Sequence, residues 1–268
     1  MHRLYTLSVK ILELLLPWDE FNKRSYPQPY IYRIGAKGNI LIYFGAKHSL
    51  DAKHEQNEQI KEQWESFLVE TISGRRKVVA EVYSEGLFLD ENHAVTARGE
   101  SGLISYLAKR ENIEVVIPGL GKQEQMKICD EYFSRDMILY HHALQIALQW
   151  NRLEDKPPFD QFIEKFLMRD KEGTDWDDTD FTLEHIKNIH ESLFGQPFDQ
   201  KDKDFFSRMT DPSQFHSITN EISRKQNDLR EVQIIDTIVK IWDEGNSVFV
   251  VMGSGHAIIE EPALRILL

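Results

Sequence analysis

Apolar residues along this chain follow two rhythms. Short runs rich in Tyr, Ile, Val and Phe read as strands: 29–36 (PYIYRIGA), 39–44 (NILIYF), 77–83 (KVVAEVY), 113–119 (IEVVIPG) and 247–253 (SVFVVMG). Lys37-Gly38 reads as a tight turn joining the first two. Between the runs, apolar positions recur at three- and four-residue spacing, as on one face of a helix. Ile60, Trp64, Phe67 and Leu68 do so within 50–70, and Leu103, Tyr106 and Leu107 within 101–113. A long helical stretch spans 125–153, and another spans 227–245, where Gly245 stops it. The last helix is expected over 257–268, with Pro262 in or near its first turn. Alternating strands and helices predict an α/β fold, a largely parallel central sheet flanked by helices.

One stretch breaks the rhythm. Residues 154–215 are polar, acidic and interrupted by Pro and Gly, with helical pieces such as 182–194, whose start Thr179 or Asp180 is expected to cap. The expected organisation is therefore a core of 1–153 and 216–268 that accommodates a helical insertion, a lid or subdomain, over 154–215. Residues 4–16 read as a short amphipathic helix or strand against the body. Lys10 and Glu13 interrupt it as a signal sequence, and no stretch approaches the roughly 18 apolar residues of a membrane span.

Composition narrows the partners. Forty-four acidic against 32 basic residues leave a formal charge of −12, which repels nucleic acid and anionic lipid and leaves a small-molecule or peptide substrate as the expected partner. The single cysteine, Cys129, excludes an intrachain disulfide and fits a cytoplasmic protein. It lies mid-helix, where a buried core thiol is expected.

Candidate chemistry lies at the ends of two strands. NILIYFGAKH and FVVMGSGH both finish an apolar run with glycine and place a histidine three residues on: Gly45 with His48, and Gly253 with His256. Glycine permits close approach at a strand end, and the histidine then sits at the mouth of the sheet as base or metal ligand. Glu81, inside a strand among apolar neighbours, needs a partner or a metal if buried. Glu100, in RGESG, reads as a neighbour of a helix start, and Arg230 as a first-turn arginine set against the helix dipole, a candidate to clamp a carboxylate or to stabilise negative charge on a substrate. The pairs His141-His142 and His185/His190 diverge and read as structural. No Gly-x-Ser-x-Gly elbow, phosphate loop, dinucleotide fingerprint or His-Glu-x-x-His appears.

Two Gly-x-x-His motifs, with a strand glutamate and a helical arginine between them, resemble the TraB/TIKI/ChaN/erythromycin-esterase superfamily. The matching pieces are YFGAKHSLDAKHEQ, VVAEVY, GESGLISYLAKREN, DLREVQIID and FVVMGSGHAIIEEPALRILL. The resemblance implies a site at the carboxyl edge of the sheet, framed by Gly45, His48, Gly253 and His256 and completed by Glu81 and Arg230. Glu100 is the reserve glutamate, and His54 lies close enough in sequence to face the same mouth. It further implies a peptide or ester hydrolase. In the metal-dependent form His48, His256 and Glu81 hold Mn, Co or Zn; in the metal-free form a histidine is the base. One branch of the family binds haem, so a non-catalytic haem or small-ligand protein is the alternative. The secretory and membrane segments of the protease branch are not seen in this sequence.

Overall fold

A computed structural model describes residues 10–71, 74–81 and 88–268. The chain forms two compact units, residues 1–119 with 231–268, and residues 120–230. The first is the α/β unit. Strands β1 (Tyr30–Ala36), β2 (Asn39–Ala46), β3 (Arg75–Ala80), β4 (Glu114–Val116) and β5 (Asn246–Gly253) form one sheet in the order β1-β2-β5-β3-β4. Only the β1–β2 pair is antiparallel. The turn between them has positive φ at both Lys37 and Gly38, the primed geometry that suits a two-residue hairpin. The expected strand 77–83 thus ends earlier, at Ala80, and its residues Val82 and Tyr83 lie outside the described residues.

Period-two alternation sorts the side chains into two cores. Leu41, Tyr43, Val79, Val248, Val250 and Met252 face one side. There they meet Val232, Ile235, Ile238 and Trp242 of one helix and Ala257, Ala263 and Leu264 of another. Ile42, Phe44, Val78, Ala80, Phe249 and Val251 face the other side, against Ile60, Trp64, Phe67, Leu103 and Ile104. The result is a three-layer α/β/α arrangement in which β5 is buried along its whole length. The chain first moves outward from β2 through β3 to β4, then returns to insert β5 between β2 and β3. In open α/β sheets, ligands bind beyond the carboxyl ends of the strands at such a reversal.

Among the described residues, 10–14 are helical, and the helices with both ends described are α1 (Trp18–Phe21), α2 (Gln56–Glu70), α3 (Glu91–Arg110), α4 (Lys122–Cys129), α5 (Arg135–Arg152), α6 (Phe159–Thr174), α7 (Leu183–Phe194), α8 (Lys203–Thr210), α9 (Ile218–Asp243) and α10 (Ser254–Leu267). Among the described residues, no helix is long and apolar enough to cross a membrane. Several differ from expectation. The stretch 125–153 is two helices, α4 and α5. Thr182 rather than Thr179 or Asp180 caps α7, its Oγ1 accepting the His185 N–H. Pro262 lies well inside the 14-residue α10, which starts at Ser254. Arg230 lies near the middle of the 26-residue α9, so the first-turn dipole argument does not apply to it.

The second unit, 120–230, is helical and begins well before the expected insertion at 154. Its core joins Ile138, Leu139, Leu144 and Ala147 of α5 to Ile163, Leu167, Ile186, Phe205 and Phe206. Cys129 is buried there, as expected for a core thiol. Three histidines are also buried: His141, His142 and His190. Burial is the main force holding all three below the usual imidazole range. The unfolded chain protonates such rings near pH 6.5, whereas the fold resists protonation until lower pH, so unfolding takes up protons below about pH 6.5. Stability is therefore complete above that pH and is lost as pH falls. Each ring adds a slope of up to about 1.4 kcal/mol per pH unit. Urea midpoints measured from pH 7.5 to 5 should fall for the wild type and fall less steeply for His141→Phe. Parallel profiles would contradict this reading.

Candidate functional site

The carboxyl ends of β2 and β5 lie side by side, Ala46 opposite Gly253, and β3 ends on the far side of β5, Ala80 opposite Val251. Every residue that directly follows these ends therefore meets the same edge. Gly45 and Gly253 explain themselves by approach distance. A Cβ on Gly45 would stand 2.6 Å from Ala257 Cβ and 2.8 Å from the Tyr30 carbonyl, so only glycine lets the start of α10 close over β2. A Cβ on Gly253 would stand 3.0 Å from His48 Nε2 and 3.7 Å from His256 Cδ2. Both imidazoles thus converge on one point above Gly253, though they are far apart in sequence.

Each ring is held by a carboxylate at its Nδ1. His48 Nδ1 is 2.5 Å from Glu100 Oε1. His256 Nδ1 is 2.7 Å and 2.9 Å from the two oxygens of Glu231. Glu100 and Glu231 are themselves buried. They come from opposite layers, Glu100 from α3 on one face of the sheet and Glu231 from α9 on the other. Glu81 follows β3 directly, half-buried, and its Oε2 lies 3.7 Å from His48 Nε2. That is too long for a hydrogen bond, but close to the about 3.3 Å between two ligands on a tetrahedral ion with bonds of about 2.05 Å. The His48 side chain is 65 % exposed and that of His256 12 %, so one ring is open to solvent and the other backs it.

The supports are specific. The loop that carries His48 is pinned by buried Gln56, whose amide donates to the Lys47 carbonyl and accepts from the Lys47 N–H. Glu100 is delivered by a break inside α3. Arg98 and Gly99 leave helical geometry, with Gly99 at φ +59°. The expected neighbour of a helix start is therefore the first residue after a kink, and it meets His48. His54 is used locally, its Nδ1 accepting the Gln56 N–H at the start of α2. Arg230 immediately precedes Glu231 in α9 but belongs to the helical unit, where its charge acts on Lys122.

Two acids escape sequence reasoning. Glu231 is one. Glu260, one helical turn beyond His256 on α10, is fully buried, and its Oε2 accepts the Tyr43 hydroxyl at 2.7 Å. Burial first, and the Glu260 charge second, hold the Tyr43 hydroxyl well above its usual range. Glu231, His256 and Glu260 each offer a ligand atom, and these atoms lie within 4.8 Å of one another. The available signal was a charge on an otherwise apolar helix face: Glu260 among Ala257, Ile259, Ala263 and Leu264, and Glu231 beside Val232, Ile234 and Ile235.

No protein-family model, curated protein or solved structure matches the chain, so the superfamily remains a resemblance carried by its paired motifs, and the site rests on its own geometry.

Proposed function

We propose that the chain is a hydrolase of ester or peptide bonds that uses the two histidines as base and acid. The observation that carries this reading is their convergence above Gly253, each with a buried carboxylate at Nδ1. A carboxylate at Nδ1 selects the tautomer that leaves Nε2 for proton transfer. His256, held by both oxygens of Glu231, presents an Nε2 lone pair as general base. His48 has carboxylates facing both nitrogens, acceptors for a ring that carries two protons, and is the general acid. Water gives its proton to His256 Nε2 and its oxygen attacks the carbonyl carbon. The leaving oxygen or nitrogen takes the His48 Nε2 proton as the bond breaks.

A second reading has its own support. The donor set around His256, one imidazole nitrogen and carboxylate oxygens, suits Mn, Co or Zn. Glu231, His256 and Glu260 would hold the ion, or His48, Glu81 and His256 as the family resemblance implies. A bound cation would supply Lewis acidity and an acidified water. Tyr43 would then orient Glu260.

Panels of chromogenic esters and fluorogenic peptides, with and without chelator, test both readings. His48→Ala and His256→Ala should each lower kcat/KM by roughly 10²–10⁴, with turnover surviving chelation. Loss on chelation and recovery with Mn, Co or Zn would move the assignment to the cation. A visible haem band in purified protein, or equal rates in wild type and both variants, would end it.

A further inference from the structure

The helical unit contains a second concentration of buried polar groups, and its composition is lopsided. Lys122 is the first residue of α4, whose Gly121 cap offers no side-chain acceptor to the exposed amides. A cation at that end of a helix works against the dipole. Its Nζ donates to Gln145 Oε1 at 2.6 Å and to Gln226 Oε1 at 2.8 Å. Both partners are neutral amides, and among the described residues no carboxylate comes within 4.0 Å of the ammonium. An ammonium has three N–H groups, so one is left over.

The neighbours add donors. Because the Gln226 oxygen is committed to Lys122, its Nε2 must point the other way. That Nε2 is buried and without a partner. The Gln226 amide approaches His141 and Cys129 closely, without reaching hydrogen-bond geometry to the ring. His141 is fully buried, and neither ring nitrogen reaches a partner in hydrogen-bond geometry. A neutral imidazole contributes one more N–H. Burial first, and the Arg230 charge second, bring the Lys122 amine down to about 8. Asp170, the carboxylate that acts in the other direction, is engaged elsewhere. Its Oδ2 is 2.5 Å from His142 Nδ1 and its Oδ1 accepts from Gln123.

Water could satisfy the surplus donors but not the charge, and a partly buried ammonium with no carboxylate within 4.0 Å is costly. We propose that Lys122, the Gln226 amide and His141 form a binding site for a small oxyanion, a carboxylate or a phosphate group, with Lys122 as its counter-charge. This does not rest on the reading of the paired histidines and is tested without turnover.

The test is thermal unfolding of the full chain at pH 7 in increasing inorganic phosphate or acetate, with sodium chloride holding ionic strength constant. Wild type should show a saturable rise of several degrees, as mass action requires of a ligand that binds only the fold. Lys122→Met should melt at or above the wild type in anion-free buffer, since it removes a partly buried charge that has no carboxylate partner, and should then show no response. His141→Phe should weaken the response roughly tenfold. Binding should disappear as pH rises through about 8, where the amine loses its proton. A response to phosphate alone or acetate alone assigns the group, and a response to both assigns any small oxyanion. Equal responses in wild type and Lys122→Met would mean an adventitious ion only. A response matched by chloride, or none in any protein, would equally overturn the site.

Discussion

Gly102→Ala should lower the melting temperature by roughly 10 °C, while Gly35→Ala leaves it nearly unchanged. The difference lies in what a Cβ meets. At Gly102 it would stand 2.1 Å from the Ala94 carbonyl oxygen and 2.9 Å from Arg98 Cβ. Ala94 precedes the break in α3 and Gly102 follows it, so the two segments of the helix touch backbone to side-chain position with no room for a methyl. The oxygen belongs to the backbone, so relief requires moving a whole segment rather than turning a rotamer. Overpacking of this kind costs about 1–3 kcal/mol and more when backbone must yield. At Gly35, in the edge strand β1, nothing lies within 4 Å, and losing glycine's unfolded-state freedom even favours the fold slightly. The effect reaches the site, because the break is what turns Glu100 toward His48. Circular dichroism melts give the stability, and the histidine ring signals in NMR report whether His48 keeps its carboxylate. A Gly102→Ala protein that melts with the wild type would show that the two segments are not held in close packing.

How much of this was legible depended on whether a signal was local. The hairpin at Lys37-Gly38, the α/β alternation and the paired glycines can be read from the residues because each states its own backbone need. The break at Gly99 cannot: RGESG looks like a helix start, and only the turn of α3 upstream of it shows that it interrupts a helix. The start of the helical unit is hidden for a related reason. Residues 135–152 are as apolar as the helices that cover the sheet, and periodicity does not say which core they join. Met126 and Ile138 pack with Phe206 and Ile186, not with the sheet. Arg230 was set at a helix start because the preceding residues 218–227 are largely polar, yet buried Ile222, Ser223 and Gln226 continue the helix through them. Glu231 and Glu260 are not legible as site residues, because a charge within an apolar helix is silent about its partner until the fold supplies one.

Glu231→Gln should reduce kcat by roughly 10²–10⁴ with KM little changed, and Glu100→Gln should reduce it less. Glu231 accepts from His256 Nδ1 with both oxygens and is almost wholly buried, so no water can replace it. Glutamine keeps the shape but offers an N–H where the ring presents its own. To avoid two opposed donors the imidazole must move its proton to Nε2, which removes the lone pair that takes the proton from water. Glu100 supports a ring that is mostly exposed and has Glu81 at its other nitrogen, so its loss is partly made good by solvent and by that second carboxylate. A purely structural role for Glu231 predicts a different pattern, namely reduced stability with an unchanged tautomer in whatever protein remains folded. Nitrogen-15 NMR of the His256 ring separates the two. Nδ1 protonated in the wild type and Nε2 protonated in Glu231→Gln, together with the kcat loss, supports the base. An unchanged tautomer with full activity would remove His256 from that role and return proton transfer to His48 and Glu81.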